Sequence, residues 1–356
     1  MRVAGIVVLL AACGNGGGSS DAAVSADSSV DVSLDVPALD AGVDAEPPCG
    51  PDERLRLRVV TFNTGTSGMG RTDHPDGYTE EKAEFSDRYY GDGLAWRSAM
   101  EATRAWLAET RPDMIAFQEI FHSPECAMVP EEAHDGFVCE TWREGDPTVA
   151  NEILGDDYQV ACNLGKADKC IAVRRELGTF RGCEAALCLD GLDGARVEGC
   201  GGGSRIGRGV VALAEGGEVT VVNVHGSSGL TTEDQECRVR QFDQVFVDLD
   251  GSAGANGEQN LVLGDFNTDP WRTRFFDASA MRLNELVETT PFRFLSAVGT
   301  DAPGSYADAV DIDHVLSDTF VGDCWYAGLA ERDAVYAEDY FDHRPVVCDV
   351  EACRAP

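Results

Sequence analysis

Leu261-Val262-Leu263-Gly264-Asp265-Phe266-Asn267-Thr268-Asp269-Pro270 is the stretch whose reading settles what kind of chain this is. Three aliphatic residues form a short buried strand, and the Gly-Asp-Phe-Asn that follows closes it in a polar turn. The same arrangement recurs on both sides: Leu55 to Phe62, Met114 to Gln118, Gly209 to Ala214, Val219 to Val224, Ile312 to Leu316 and Val346 to Val350 are apolar runs bounded by polar residues. Two stretches have helical spacing instead. In Leu94 to Glu109 the residues Leu94, Trp96, Met100, Thr103 and Leu107 share a face, and in Glu233 to Leu249 the stripe is Val239, Phe242, Val245, Phe246 and Leu249. Arg111-Pro112 ends the first of these helices. Strands with helices interspersed predict an α/β or α+β domain built from layered sheets.

The chemistry-bearing residues are expected at the C-terminal ends of these strands, where ligands gather in layered α/β proteins. In chain order they are Asn63, Glu119, His225, Asp265 with Asn267, Asp313, and Asp342-His343. Singly, each has a plain explanation as a turn, an Asx cap or a satisfied core histidine. Together they supply carboxylates, amides and two histidines, the inventory of phosphoryl chemistry on a hard cation. In-line displacement needs a placed water on one face of phosphorus and charge stabilisation on the remaining oxygens, and this set can provide both.

In order and spacing these segments resemble the endonuclease/exonuclease/phosphatase superfamily, which includes deoxyribonuclease I, neutral sphingomyelinases and inositol polyphosphate phosphatases. The resemblance runs from about Leu55 to Val350. It implies a four-layer sandwich, two mixed β-sheets face to face with helices outside. It also implies that Glu119 holds a divalent metal, Mg2+ with Ca2+ or Mn2+ as alternatives, with Asn63 and Asp342 close by. Asp265 would orient or activate the attacking water, with Asn267 as its amide partner at the phosphate. His343 would stand next to the scissile phosphate, Asp313 would orient it, and His225 would be the second histidine.

The chain departs from that pattern in two places. Asn223-Val224-His225-Gly226 stands where the superfamily usually has Asn-Thr-His-Leu, and Gly226-Ser227-Ser228-Gly229 reads as a flexible loop. No basic DNA-contacting loop can be picked out. The best cluster is Trp271-Arg272-Thr273-Arg274-Phe275-Phe276, whose arginines and aromatics suit a nucleic-acid backbone, a lipid interface or a helix start packed on the core. Arg208 is a weaker phosphate candidate, equally well read as a solvated loop cation. His74, His122, His134 and His314 lie outside the pattern.

Composition narrows the function further. With 63 Asp and Glu against 28 Lys and Arg, the 356-residue chain carries a net charge of −35, so no broad basic surface collects nucleic acid or anionic lipid. A polyanionic substrate would have to be held by metal and a local patch. Residues 1–12 read as a signal peptide, with one cation and a short apolar run, and Leu10-Ala11-Ala12-Cys13 resembles a bacterial lipobox that would lipidate Cys13. Residues 13–48 read as a disordered acidic tether, and 49–356 as one catalytic domain. Twelve cysteines remain after Cys13, with no zinc-like spacing, which predicts six disulfides; Cys126 with Cys139 and Cys324 with Cys348 are candidate local pairs. Thr66 to Gly93 and Phe121 to Gly207 read as long loops that set specificity.

The function expected from these observations is a secreted, membrane-anchored phosphodiesterase, an extracellular nuclease first. A sphingomyelinase or phospholipase C-type enzyme is the alternative, and a non-catalytic surface-binding protein on the same fold is the reading from another class. A phosphodiester substrate, nucleic acid or phospholipid, and a membrane reached through the lipid anchor are the expected partners, with no obligate protein partner.

Overall fold

A computed structural model of the protein describes residues 49–66, 74–163, 166–197, 199–201, 206–328 and 340–355, all within a compact unit spanning 39–356. The signal segment, Cys13 and the tether lie outside the described residues. No helix among the described residues is long and apolar enough to cross a membrane.

Two mixed sheets stack face to face. The first has seven strands in the order β12-β13-β1-β2-β4-β3-β6. They are β1 (Arg54–Asn63), β2 (Met114–Gln118), β3 (Tyr158–Asn163), β4 (Lys166–Arg174), β6 (Leu187–Leu192), β12 (Val321–Tyr326) and β13 (Val346–Cys353). The second has six, in the order β10-β11-β9-β8-β7-β5. These are β5 (Gly178–Phe180), β7 (Gly207–Leu213), β8 (Glu218–His225), β9 (Asn260–Asp265), β10 (Arg293–Phe294) and β11 (Asp313–Ser317). Period-two alternation sends Leu55, Leu57 and Val59 of β1 and Met114 and Ala116 of β2 into the space between the sheets, where they meet Val219, Val221, Leu261 and Leu263.

The alternate residues of each sheet face outward onto helices. Val60, Phe62, Ile115 and Phe117 pack under α1 (Glu80–Phe85), α2 (Arg97–Thr110) and α3 (Val149–Leu154). On the other side Val222, Val224 and Val262 pack under α4 (Thr232–Phe246) and α5 (Ala278–Thr289). The result is the four-layer sandwich expected. α2 ends where Arg111 turns left-handed at φ 47°, one residue before Pro112.

Four readings of the sequence need correction. The stripe assigned to α4 is rotated: Val239 and Leu249 are half-buried, while Cys237, Arg238 and Gln241 are buried beside Phe242, Val245 and Phe246. A buried guanidinium made the true face look polar. Phe121 to Gly207 is not without regular structure, because it contributes four strands and α3, and Thr66 to Gly93 holds α1. Those strands alternate too weakly in polarity to stand out. The loop Gly226 to Gly229 is pinned rather than slack, since Arg238 takes the Ser227 and Gly229 carbonyls, each at 2.8 Å. Finally, residues 270–276 form turns rather than a helix start, and α5 begins at Ala278 behind an Asp277 cap.

All twelve cysteines after Cys13 pair. The bridges are Cys49–Cys353, Cys126–Cys139, Cys162–Cys170, Cys183–Cys188, Cys200–Cys237 and Cys324–Cys348, which include both pairs anticipated from spacing.

Candidate active site

Strand register builds the site. β1 and β2 run parallel with Asn63 opposite Gln118, which places Glu119 one residue past the paired row. β8 and β9 run parallel with His225 opposite Asp265, and β11 runs antiparallel to β9 with Asp313 opposite Asp265. Asp313 therefore opens its strand and Asp342-His343 precede theirs, contrary to the expectation that every polar residue follows one. They reach the same edge because β11 and β13 are antiparallel to β9 and β1, so an N-terminal end meets C-terminal ends.

Asp265 is the hub. Its Oδ2 accepts from Asn63 Nδ2 at 2.9 Å and Asn267 Nδ2 at 3.0 Å, and its Oδ1 accepts from the Asn267 backbone N–H at 2.7 Å. His225 Nε2 stands 3.7 Å and His343 Nε2 3.8 Å from the same Oδ2. His225 Nε2 also lies 3.3 Å from Glu119 Oε1. Asp313 Oδ2 accepts from His343 Nδ1 at 2.7 Å, and Asp342 Oδ1 is 3.9 Å from His343 Nε2. Eight of the residues singled out in the sequence thus come to one edge of the sandwich: Asn63, Glu119, His225, Asp265, Asn267, Asp313, Asp342 and His343.

Arg208 is not brought there. It lies within β7, where its guanidinium binds the Gly254 carbonyl at 2.8 Å and Asn256 Oδ1 at 2.9 Å and pairs with Asp193. The sequence suggested a phosphate contact because Arg208 precedes a β-branched run, but the strand starts at Gly207 and carries it away from the edge. Arg208→Ala is expected to leave the turnover of a soluble phosphodiester within about twofold of wild type, and an initial-rate loss of about tenfold would contradict this placement. His314 is also elsewhere, buried with its Nε2 on the Thr268 carbonyl at 3.2 Å.

Electrostatics divide the cluster into acid and base. Burial raises the Asp265 carboxyl to about 6, with the two histidines opposing and Asp313 assisting. Burial alone would lower His343, but the carboxylates of Asp313, Asp265 and Asp342 and the Asp313 hydrogen bond outweigh it and raise the imidazole to about 10. His343 is therefore a cation at neutral pH, next to a carboxyl that ionises below it.

Several supporting residues went unread in the sequence. Glu119 has a left-handed backbone, φ 63°, held by the Phe121 N–H donating to buried Asp92 at 2.5 Å and the Ile120 N–H to the Asp168 carbonyl at 3.1 Å. Burial raises Asp92 to about 7. Asn267 is left-handed too, φ 49°, and donates from its amide to both Asp265 and the Gly226 carbonyl, so it acts on Asp265 more directly than on a phosphate. Left-handed non-glycine residues cost roughly 1–3 kcal/mol each and persist where surrounding contacts dictate them. Behind the edge Gln118 Nε2 donates to Asn223 Oδ1 at 2.8 Å, and Asn223 Nδ2 to the Phe117 carbonyl at 2.8 Å, tying the two sheets together. A polar residue inside an apolar strand was the available signal.

Two glycines are dictated by close approach. A Cβ on Gly65 would stand 2.3 Å from Glu119 Oε2, and one on Gly226 would stand 2.2 Å from the Phe266 carbonyl oxygen. The second explains the departure after His225: a leucine side chain has no room in this backbone.

The donor set fits a hard divalent cation. Glu119 and the Asn63 side-chain carbonyl offer oxygens beside the cradle left by Gly65, whose N–H donates to Asn63 Oδ1 at 2.9 Å, and Asp342 is tied to the same residue through its backbone, its N–H donating to the Gly65 carbonyl at 3.4 Å. Four carboxylates with two imidazoles also leave the edge short of positive charge. Asp265, Asp313 and His343 present ligand atoms within 4.8 Å of one another as well. Within that group His343 Nδ1 is hydrogen-bonded to Asp313, so the three also form a dyad facing a carboxylate.

A four-layer sandwich with a carboxylate, amide and histidine edge is the deoxyribonuclease I-like phosphoesterase architecture. The chain belongs to the endonuclease/exonuclease/phosphatase family, whose sequence model matches residues 60–333. Members of this family are metal-dependent phosphoesterases. Among solved structures, that of ANGEL2, described as a 2′,3′-cyclic phosphatase, is 8% identical with a TM-score of 0.50, covering 84% of this chain and 96% of that one. A family protein from Beutenbergia cavernae is 16% identical with a TM-score of 0.48, covering 83% of this chain and 72% of that one. The human Nocturnin catalytic domain is 13% identical with a TM-score of 0.46, covering 86% and 99%. No curated protein sequence matches the chain.

Proposed function

We propose that this protein is a metal-dependent phosphodiesterase, an extracellular nuclease in the first instance, secreted and tethered to a bacterial membrane through Cys13. The observation that carries the catalytic reading is the convergence of His225, His343, Asn63 and Asn267 on the Asp265 carboxylate, with Asp313 behind His343. Glu119, Asp342 and Asn63 would hold the divalent ion, Mg2+ first, which when bound supplies Lewis-acid charge at the phosphoryl oxygens.

The chain's own residues account for the proton transfers. Asp265, oriented by Asn63 and Asn267, accepts a proton from the water that attacks phosphorus. As the bond to the leaving oxygen breaks, protonated His343 donates its Nε2 proton to that oxygen, and the Asp313 carboxylate stabilises the cation before transfer. His225, facing Glu119 and Asp265, supplies a further donor to a phosphoryl oxygen.

This assignment sets the pH profile. Asp265 must be ionised, so activity is expected to rise as pH climbs through the region of 6; His343 must be protonated, so activity falls as pH approaches 10. Initial rates on bis(p-nitrophenyl) phosphate check both limbs, and a profile flat on the acid side would remove Asp265 as the base.

One observation bears on the phospholipase alternative. Phe275 and Phe276 are 67% and 71% exposed, directly after Trp271 and Arg274, whose guanidinium lies 3.8 Å from the Trp271 ring centroid and 4.4 Å from that of Phe275. Such a group suits a lipid interface as well as a base stack. Incubation of the purified domain with Mg2+, Ca2+ or Mn2+ on plasmid DNA and on sphingomyelin vesicles separates the two. Nicked or linear plasmid is expected; intact plasmid with release of phosphocholine would replace the nuclease reading by the alternative. Six disulfides and the Leu10 to Cys13 tetrad support the extracellular, lipid-anchored placement, which mass spectrometry of the mature N-terminus tests.

A further inference from the structure

Tyr306 begins a tight turn beside His343. Its backbone bridges to His343 and to Val310, and the Ala309 N–H returns to the Tyr306 carbonyl at 3.0 Å. Between them Ala307 and Asp308 are both left-handed, with φ of 47° and 56°. Turns of this kind normally take glycine or asparagine, so the surrounding contacts must impose this one. Those contacts come from the residues that flank His343. Arg344 pairs with Asp308 at 2.7 Å, its N–H donates to the Ser305 carbonyl at 2.7 Å, and the Ala307 N–H donates to the Asp342 carbonyl at 3.0 Å. Ser305 Oγ in turn accepts the N–H groups of Ile312 and Asp313, at 2.9 and 3.0 Å. One short segment thus grips both members of the His343–Asp313 dyad.

What the turn presents is a half-buried phenol whose ring is tilted 58° against the His343 imidazole, with centroids 4.8 Å apart. Its hydroxyl has no hydrogen-bond partner among the described residues. Burial and the charges of Asp342, Asp265 and Glu119 raise its pKa, so the group stays a neutral donor. Beyond the two imidazoles, this edge is short of donors. The carboxylates cannot approach a phosphoryl oxygen, and the amide of Asn267 is already engaged with Asp265 and Gly226.

We infer that Tyr306 is a substrate-contacting residue of this site, its hydroxyl donating to a phosphoryl oxygen while its ring holds the His343 imidazole in place. The inference rests on the phosphodiesterase reading. Tyr306→Phe keeps the ring and removes the donor; Tyr306→Ala removes both. With bis(p-nitrophenyl) phosphate and Mg2+ or Mn2+, the phenylalanine variant is expected to lose about 10- to 100-fold in kcat/KM, and the alanine variant to lose more. Binding of inorganic phosphate, followed by 31P NMR on the same proteins, is expected to weaken about tenfold in the phenylalanine variant. Wild-type turnover together with a phenylalanine variant that matches it in rate overturns the inference and leaves the phosphodiesterase reading standing. A wild type that neither turns over the diester nor binds phosphate overturns both.

Discussion

His343→Ala, made in the oxidised domain, is expected to lower kcat on a soluble phosphodiester by at least about 100-fold, the contribution of one general acid or one preorganised charge. The imidazole is held as a cation by three carboxylates, and its Nδ1 is fixed by Asp313 at 2.7 Å. Alanine removes the proton donor and leaves Asp313 and Asp265 buried against each other with less positive charge between them. Glu119→Ala should cost at least as much by a different route, because Glu119 is the carboxylate that stands beside the Gly65 cradle and would hold the ion. Calorimetric titration with Mg2+ or Mn2+ distinguishes them: the ion still binds the His343 variant and binds the Glu119 variant much more weakly. If both variants keep the wild-type rate, catalysis does not run through this edge; if neither they nor the wild type turn the diester over, the protein is a binding module on a phosphoesterase fold.

Arg238→Ala is expected to destabilise the domain by about 3–5 kcal/mol, the cost of removing one partner of a buried ion pair. Arg238 is fully buried in α4 and pairs with Asp277 at 3.0 Å. Its Nε donates to Ser279 Oγ at 2.9 Å and its Nη1 to the Ser227 and Gly229 carbonyls. One guanidinium therefore joins α4, the cap of α5 and the loop that leaves His225. Thermal unfolding of the oxidised protein should show a midpoint lowered by roughly 10 °C. Adding Asp277→Asn to Arg238→Ala should restore part of the loss, because the second change removes the orphaned charge. Unchanged midpoints would mean that the buried pair contributes nothing net.

The seven strands read from the sequence are those whose aliphatic residues run together or alternate clearly: β1, β2, β7, β8, β9, β11 and β13. β3, β4, β6 and β12 mix cysteine, lysine, aspartate and glycine into their runs, and β5 and β10 are two or three residues long, so local pattern did not mark them. The same physics hid α5. The site was legible to the extent that its residues close recognisable strands. Asp92, Arg238 and Tyr306 were not, because each acts across a long stretch of chain and no local spacing distinguishes it from a surface residue.

The net charge of −35 keeps its meaning. Only seven of the 63 acids fall in residues 13–48, so most of it stays with residues 49–356, and four carboxylates lie at the edge where a phosphate would arrive. That acidity works against capture of a polyanion through a broad basic surface, and a cation held by Glu119, Asp342 and Asn63, with protonated His343, would supply the local attraction.

By itself the sequence determined the layered class, the eight residues that meet at the edge and the even complement of cysteines, because strand patterning and side-chain chemistry are local properties. Tertiary structure alone decided which ends of the strands face one another, since antiparallel pairing of β11 and β13 brings their first residues to meet the last residues of β1, β8 and β9. It also decided that Arg208 turns away, that Arg238 lies inside, and that Tyr306 leans on His343. Those outcomes depend on register and on close approach between segments distant in the chain, which no local stretch encodes.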